Sequence, residues 1–187
     1  PIIDFQFDQL ELSKDLKSFS ETNLGKRIQA LIDINEIPIA EIELNRIQNI
    51  SNDRFKMTIL GFAMKNDLSS LQIKTAKHLF KEKAPIDFLY PTPRWIESYE
   101  FNEIDPIVIL SMIRQESQFS AFAKSGKSAY GLMQILPSTA RMVNKKYNFK
   151  SNPRYLFDPK INVDTGSLYL QSLLELNHIK GDLLKAL

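Results

Sequence analysis

Three prolines, at 85, 91 and 93, stand in the stretch Ala84-Pro-Ile-Asp-Phe-Leu-Tyr-Pro-Thr-Pro-Arg-Trp95. Proline locks φ, lacks an N–H and pushes the preceding residue out of the helical region. No helix passes through such a stretch, so the 187-residue chain divides there. The segment also carries Phe88, Leu89, Tyr90 and Trp95. A flexible linker is not so apolar. It is expected to lie pinned along a domain surface, with a short strand near Phe88 as the one candidate for β structure.

Helical spacing dominates on both sides. Asn23 is placed to cap Leu24–Asn35, with Leu24, Ile28, Leu31 and Ile32 on one face. Pro38 suits the first turn of a helix to about Asn49. Asn52 or Asp53 caps Arg54–Lys65, and Ser69 or Ser70 starts a helix through Lys83. Leu10–Phe19 is a further candidate. These read as helix–loop–helix units that need one another, or a larger body, for stability. Beyond the prolines, Pro106 opens a helix ending near Gln115–Ser117, and Pro137 opens Ser138–Tyr147. Asn162 or Asp164 caps Thr165–Leu176. Sustained strand alternation is absent, and the expected class is all-α.

Composition narrows the function. Residues 1–103 carry 13 basic and 16 acidic side chains, and residues 104–187 carry 11 and 6. The second half suits an anionic polymer, but the overall +2 does not mark a nucleic-acid binder. No apolar run is long enough for an integral membrane segment. Cysteine is absent, and the two histidines, His78 and His178, stand far apart. That excludes thiol chemistry and a histidine-rich metal site; no metal or cofactor is expected. A start at Pro1 and a stop at Leu187 read as a piece of a longer protein.

Two features hold chemical interest. Glu116 follows an apolar helical stretch and continues the stripe of Ile109 and Met112 or Ile113. A carboxyl held against hydrocarbon favours its protonated form, which a general acid needs near neutral pH. The plain alternative is an exposed glutamate at a helix end. The second feature is Ala123-Lys-Ser-Gly-Lys-Ser-Ala-Tyr-Gly131, followed by Leu132-Met133-Gln134-Ile135-Leu136-Pro137. Gly126-Lys127-Ser128 evokes a phosphate loop, but the glycine four residues before that pair and the preceding strand are missing. What remains is a tight turn at Gly131 beside an apolar segment with one amide, Gln134. A buried amide needs partners or serves a ligand.

Together these stretches resemble the soluble, superhelical lytic transglycosylases that cleave bacterial cell-wall glycan, and more distantly the goose-type lysozymes. The matching residues are Ile113-Arg-Gln-Glu-Ser117, Phe119, Ala123, Ser125, Ala129-Tyr-Gly-Leu-Met-Gln134, Pro137, Thr139 and Ala140. Leu156, Phe157, Asp158, Pro159, Asn162, Gly166, Tyr169 and Leu170 follow. Tyr90-Pro91 looks like the pair that introduces the catalytic domain. The likeness covers about 90–187.

The resemblance implies a helical superhelix or linker domain over 1–89 and a lysozyme-like SLT catalytic domain over 90–187. It implies one catalytic residue, Glu116. Ser125, Met133, Gln134 and Tyr169 are the implied substrate-binding residues; Tyr169 fits either core or groove. Ser117, Gly131 and Leu132 complete the motif. The implied reaction cleaves the MurNAc–GlcNAc bond and leaves a 1,6-anhydromuramic end. Residues 117–157 contain no Asp or Glu, which suits a one-carboxylate mechanism.

Peptidoglycan glycan strands are the expected partner. Lys124, Lys127 and Arg154 are candidates to meet the carboxylates of muropeptide stems. The chain is expected to be a monomer in the bacterial periplasm or cell envelope. The alternative is a non-catalytic glycan-binding module or a helical scaffold. Two departures from the family stand out. Ser128 replaces a usual glycine, at little cost if the backbone there is not left-handed. An Ala-Tyr-Asn-Ala-Gly stretch is expected to begin just where the sequence stops, at Lys185-Ala-Leu187, so the catalytic domain is expected to lack its C-terminal part.

Overall fold

The computed structural model describes residues 9–96, 99 and 104–176. The regular elements are α-helices and short 3-10 turns, so the fold is all-α. The chain forms two compact units, Pro1–Glu97 and Ser98–Leu187.

The first unit holds α1 (Gln9–Glu21), α2 (Asn23–Asp33), α3 (Ile37–Gln48), α4 (Asp53–Lys65), α5 (Ser69–Phe80) and the single turn α6 (Ile86–Leu89). Local chemistry sets the helix starts. Thr22, not Asn23, caps α2 by accepting the Gly25 N–H, and Asn52 caps α4 by accepting the Phe55 N–H. Phe19, Ile28, Leu44, Ile59, Phe62, Leu68 and Leu71 form the core. The Phe19 ring meets Phe62 edge-on, with centroids 5.2 Å apart, a favoured aromatic geometry. A buried polar bridge joins α3 to α5, where Thr75 Oγ1 donates to Gln48 Oε1 at 2.8 Å. The ion pairs Arg27–Glu43 and Arg54–Asp15 lie at the surface and add little stability.

The proline stretch is pinned, as its composition requires. Gln72 Nε2 donates to the Asp87 and Phe88 carbonyls, the Phe80 and Phe88 rings stack, and Arg94 pairs with Asp67. The segment around Phe88 is the helical turn α6, not a strand.

The second unit holds α7 (Pro106–Glu116), α8 (Pro137–Val143) and α9 (Pro159–Leu174). Pro106 and Pro137 open their helices, where the missing N–H costs nothing. Two expectations fail here. α8 stops at Val143, not Tyr147, because the buried Asn144 turns its side chain to Thr165 Oγ1 and its Oδ1 accepts the Lys146 N–H. α9 starts six residues before Thr165, capped by Asp158, which accepts the Ile161 N–H. Asn162 and Asp164 therefore lie inside the helix and not at its cap.

Candidate active site

The segment between α7 and α8 builds the site. Tyr130 and Ile135 exchange both backbone hydrogen bonds at 3.0 Å, and the Gly131 N–H donates to the Ala123 carbonyl. This folds residues 123–135 into a tight meander held by isolated bridges. Gly131 has φ +74, and a Cβ there would lie 2.1 Å from the Leu156 carbonyl oxygen and 2.3 Å from Asn162 Nδ2. Both the backbone angle and the close approach require glycine.

Asn162 is fully buried and explains that crowding. Its Oδ1 accepts the Met133 N–H at 2.8 Å, and its Nδ2 donates to the Tyr130 and Leu156 carbonyls, each at 2.8 Å. One side chain thus satisfies three buried backbone groups and fixes the meander against α9. On the same helix, a Cβ on Gly166 would lie 2.3 Å from Met133 Sδ. The glycine lets the Met133 side chain lie against the backbone of α9.

The result is a groove of about 690 Å³. Glu116 from the end of α7, Met133 and Gln134 from the meander, and Tyr169 from α9 share its lining. Ile107, Val108, Met112, Leu136, Leu170 and Leu173 make much of the wall apolar, with Ser111, Gln115 and Thr139 as further polar groups. Glu116 is the one carboxylate among these lining residues.

Glu116 departs from one expectation: it is exposed. The helical period gives the correct azimuth, since Ile109 and Ile113 on that stripe are fully buried. Glu116 is the last residue of α7, beyond the fully buried Ile109 and Ile113, and it lines the groove.

Gln134 sits at φ +47, a region unusual for a residue with a side chain. Its Nε2 donates to the Gly131 carbonyl at 2.9 Å and the Ala123 carbonyl at 3.3 Å. With both amide hydrogens held, its Oε1 is the atom left for a ligand. Tyr169 is half-buried on the groove wall. Ser125 is not among the lining residues; its hydroxyl accepts the Ala129 N–H at 3.0 Å and staples the loop. Ser117 donates its hydroxyl to the Ile113 carbonyl at the helix end, and Leu132 is core. Lys124 lies 5.2 Å from the centroid of the Tyr130 ring. Ser128 has φ +58, so replacing the family's glycine does carry a cost here.

Sequence reasoning missed the role of Asn162. The available signal was an asparagine between apolar residues of a helix interior, where it must find partners. Tyr99 also escaped notice. Its hydroxyl donates to Asp164 on α9, and burial together with that carboxylate pushes the phenol well above its usual range. No cluster of metal-binding side chains occurs among the described residues. The Lys185-Ala-Leu187 terminus and His178 lie outside the described residues.

Comparison with known proteins agrees with this geometry. The family model described as the transglycosylase SLT domain matches residues 93–187, just over half of the chain. The membrane-bound lytic murein transglycosylase C of Serratia proteamaculans is 38% identical over 82 residues, covering 42% of this chain and 22% of that protein. Its namesake in Yersinia enterocolitica is 39% identical over 88 residues, covering 46% of this chain and 24% of the relative. The chain thus spans about a quarter or less of the length of these relatives. Among solved structures, the 70 kDa soluble lytic transglycosylase of Escherichia coli superposes with a TM-score of 0.72 at 23% identity. That match covers 84% of this chain and 26% of the solved one. A lytic transglycosylase Slt of Pseudomonas aeruginosa gives 0.70 at 20% identity, over 93% and 28%. These two likenesses establish the fold, and with the match over residues 93–187 the chain belongs to the transglycosylase SLT domain family.

Proposed function

We propose that the chain is the groove-bearing part of a peptidoglycan lytic transglycosylase, working on glycan strands in the bacterial cell envelope. The relatives' names, the family model and the groove together support this reading. The single carboxylate on the groove wall supports it most directly. A glycosidase that uses water employs two carboxyl groups. Residues 117–157 offer no second one, and the described lining holds Glu116 alone. No described helix is long and apolar enough to cross a membrane.

In this mechanism a glycan seated in the groove excludes water from around the protonated Glu116 carboxyl. Glu116 gives that proton to the bridging oxygen, and the bond from C1 of N-acetylmuramic acid to that oxygen breaks. The carbonyl oxygen of the sugar's own acetamido group stabilises the cationic C1. The Glu116 carboxylate then takes the proton of the C6 hydroxyl as O6 bonds to C1. The glutamate regains its proton and no water is consumed. Gln134 Oε1 accepts the acetamido N–H, while Met133 and Tyr169 pack on the sugar faces.

The test is digestion of purified peptidoglycan with wild type and with Glu116→Gln, read by mass spectrometry. Anhydro-ended products from wild type, reduced at least about a hundredfold in the variant, are expected. Reducing ends would identify a hydrolase instead. Glycan binding without products would identify a non-catalytic module.

A further inference from the structure

A second cavity, of about 360 Å³, lies within the first unit, far in sequence from the residues that line the groove. Asp67 and Ser69, Gln72 of α5, and Asp87 and Tyr90 from the proline stretch line it. Ser69 is only 6% exposed, and its hydroxyl has no hydrogen-bond partner among the described residues. Gln72 is likewise 6% exposed. Its Nε2 is held by the Asp87 and Phe88 carbonyls at 3.3 Å, and its Oε1 accepts from no described group.

The chemistry of the lining is one-sided. It offers two carboxylates, an amide oxygen, a hydroxyl and the exposed Tyr90 side chain. The neighbouring cation, Arg94, has its Nε 2.6 Å from Asp67 Oδ2 and so answers that carboxylate. Asp87 is exposed and has no ion-pair partner among the described residues. Asp67 has φ +55, which an aspartate tolerates better than most residues. Residues 1–103 as a whole carry an excess of acidic groups.

We infer that this cavity binds a primary alkylammonium group of the kind that ends a lysine-type side chain. Asp87, Gln72 and Ser69 line the same cavity, and their acceptors equal in number the three N–H donors of an ammonium. The Tyr90 ring, Met64, Pro91 and Pro93 suit its aliphatic stem and its charge. The site is independent of the groove and does not depend on the reaction assigned to Glu116.

The test is titration of the intact chain with n-butylamine near pH 7, followed by amide chemical shifts. 1-Butanol serves as the uncharged match and N-acetylglucosamine as the sugar control. Saturable shifts at Ser69 and at the Gln72 side-chain amide are expected with the amine. Asp87→Asn, which keeps shape and removes charge, should weaken binding about tenfold, the scale of one charge-assisted hydrogen bond. Ser69→Ala should weaken it by less. Free lysine and a capped Ala-Lys-Ala peptide separate the sources: tighter peptide binding indicates a peptide-borne side chain, and tighter lysine binding a free amine. Equal binding of amine and alcohol, preference for the sugar, unchanged affinity in Asp87→Asn, or no saturation by about 10 mM would each overturn the assignment.

Discussion

The two units use left-handed backbone for different ends. In the first unit Asn35, Asp67 and Lys81 have positive φ, and each falls just beyond a helix. After α2 the Glu36 N–H donates to the Leu31 carbonyl and the Asn35 N–H to the Ile32 carbonyl, closing the helix in a Schellman pattern. In the second unit Gln118, Phe119, Ser128, Gly131 and Gln134 have positive φ, all between α7 and α8. There the conformation shapes the meander that holds Met133 and Gln134 in the groove. Asparagine and aspartate adopt this region readily, whereas a phenylalanine there is a genuine outlier. At Asn35 and Asp67 the positive φ ends helices at little cost; strain in the second unit is concentrated beside the site and must be held in place.

Asn162 is what holds it, and removing it is the sharpest way to break the contrast. Asn162→Ala orphans the Met133 N–H, removes the amide donor from the Leu156 carbonyl and leaves the Tyr130 carbonyl with the Ile135 N–H. It should destabilise the second unit by about 3–5 kcal/mol while leaving the hydrogen-exchange protection of α1–α5 unchanged. Urea unfolding with exchange read unit by unit checks this. Equal loss of protection in both units would mean that they unfold together.

A smaller effect tests the strain itself. Ser128→Gly should stabilise the chain by up to about 1 kcal/mol, because glycine has no Cβ penalty at φ +58. Asn35→Gly at the end of α2 should change it by only a few tenths of that, roughly 0.3 kcal/mol. Thermal unfolding of the two variants side by side measures the difference.

The smallest effect concerns the interior of the first unit. Glu41 on α3 is half-buried, and burial pushes its carboxyl up against the opposing pull of Lys74 and the Leu71 N–H. A raised folded value means that the protonated form is the stabilising one. That stability is fully present below the unfolded carboxylate value and is lost as pH rises through the folded one. Glu41→Gln should remove this slope, seen as a flatter stability profile above about pH 4.5. An unchanged profile would show that the Lys74 charge cancels the burial.

How much was legible follows the same division. Periodicity and caps located α2 to α5 closely, because Pro38 and Asn52 act through neighbours a few residues away. The start of α9 was misplaced because Asp158 and Asn162 are both good caps in isolation. Only the fold shows that Asn162 is spent on Tyr130, Met133 and Leu156. The stripe ending at Glu116 was legible in direction but not in depth, since a helical period carries no information about where the core stops. Tyr169 was left open between core and groove for the same reason, and it stands on the groove wall. The cavity around Gln72 was not legible, because α5 and the proline stretch are joined by contacts that no local pattern records.

The clamp at Asn162 also sets an order of events. It ties positions 32 and 29 residues apart in the chain, Tyr130 and Met133 to Asn162. Closing such a loop costs entropy before any bond repays it. The meander therefore cannot take its final shape while it emerges alone. It needs α9 in place, so the floor of the groove depends on a residue 29 to 32 positions further along the chain. A chain interrupted before Asn162 would lack the side chain that fixes Met133 and the meander against α9.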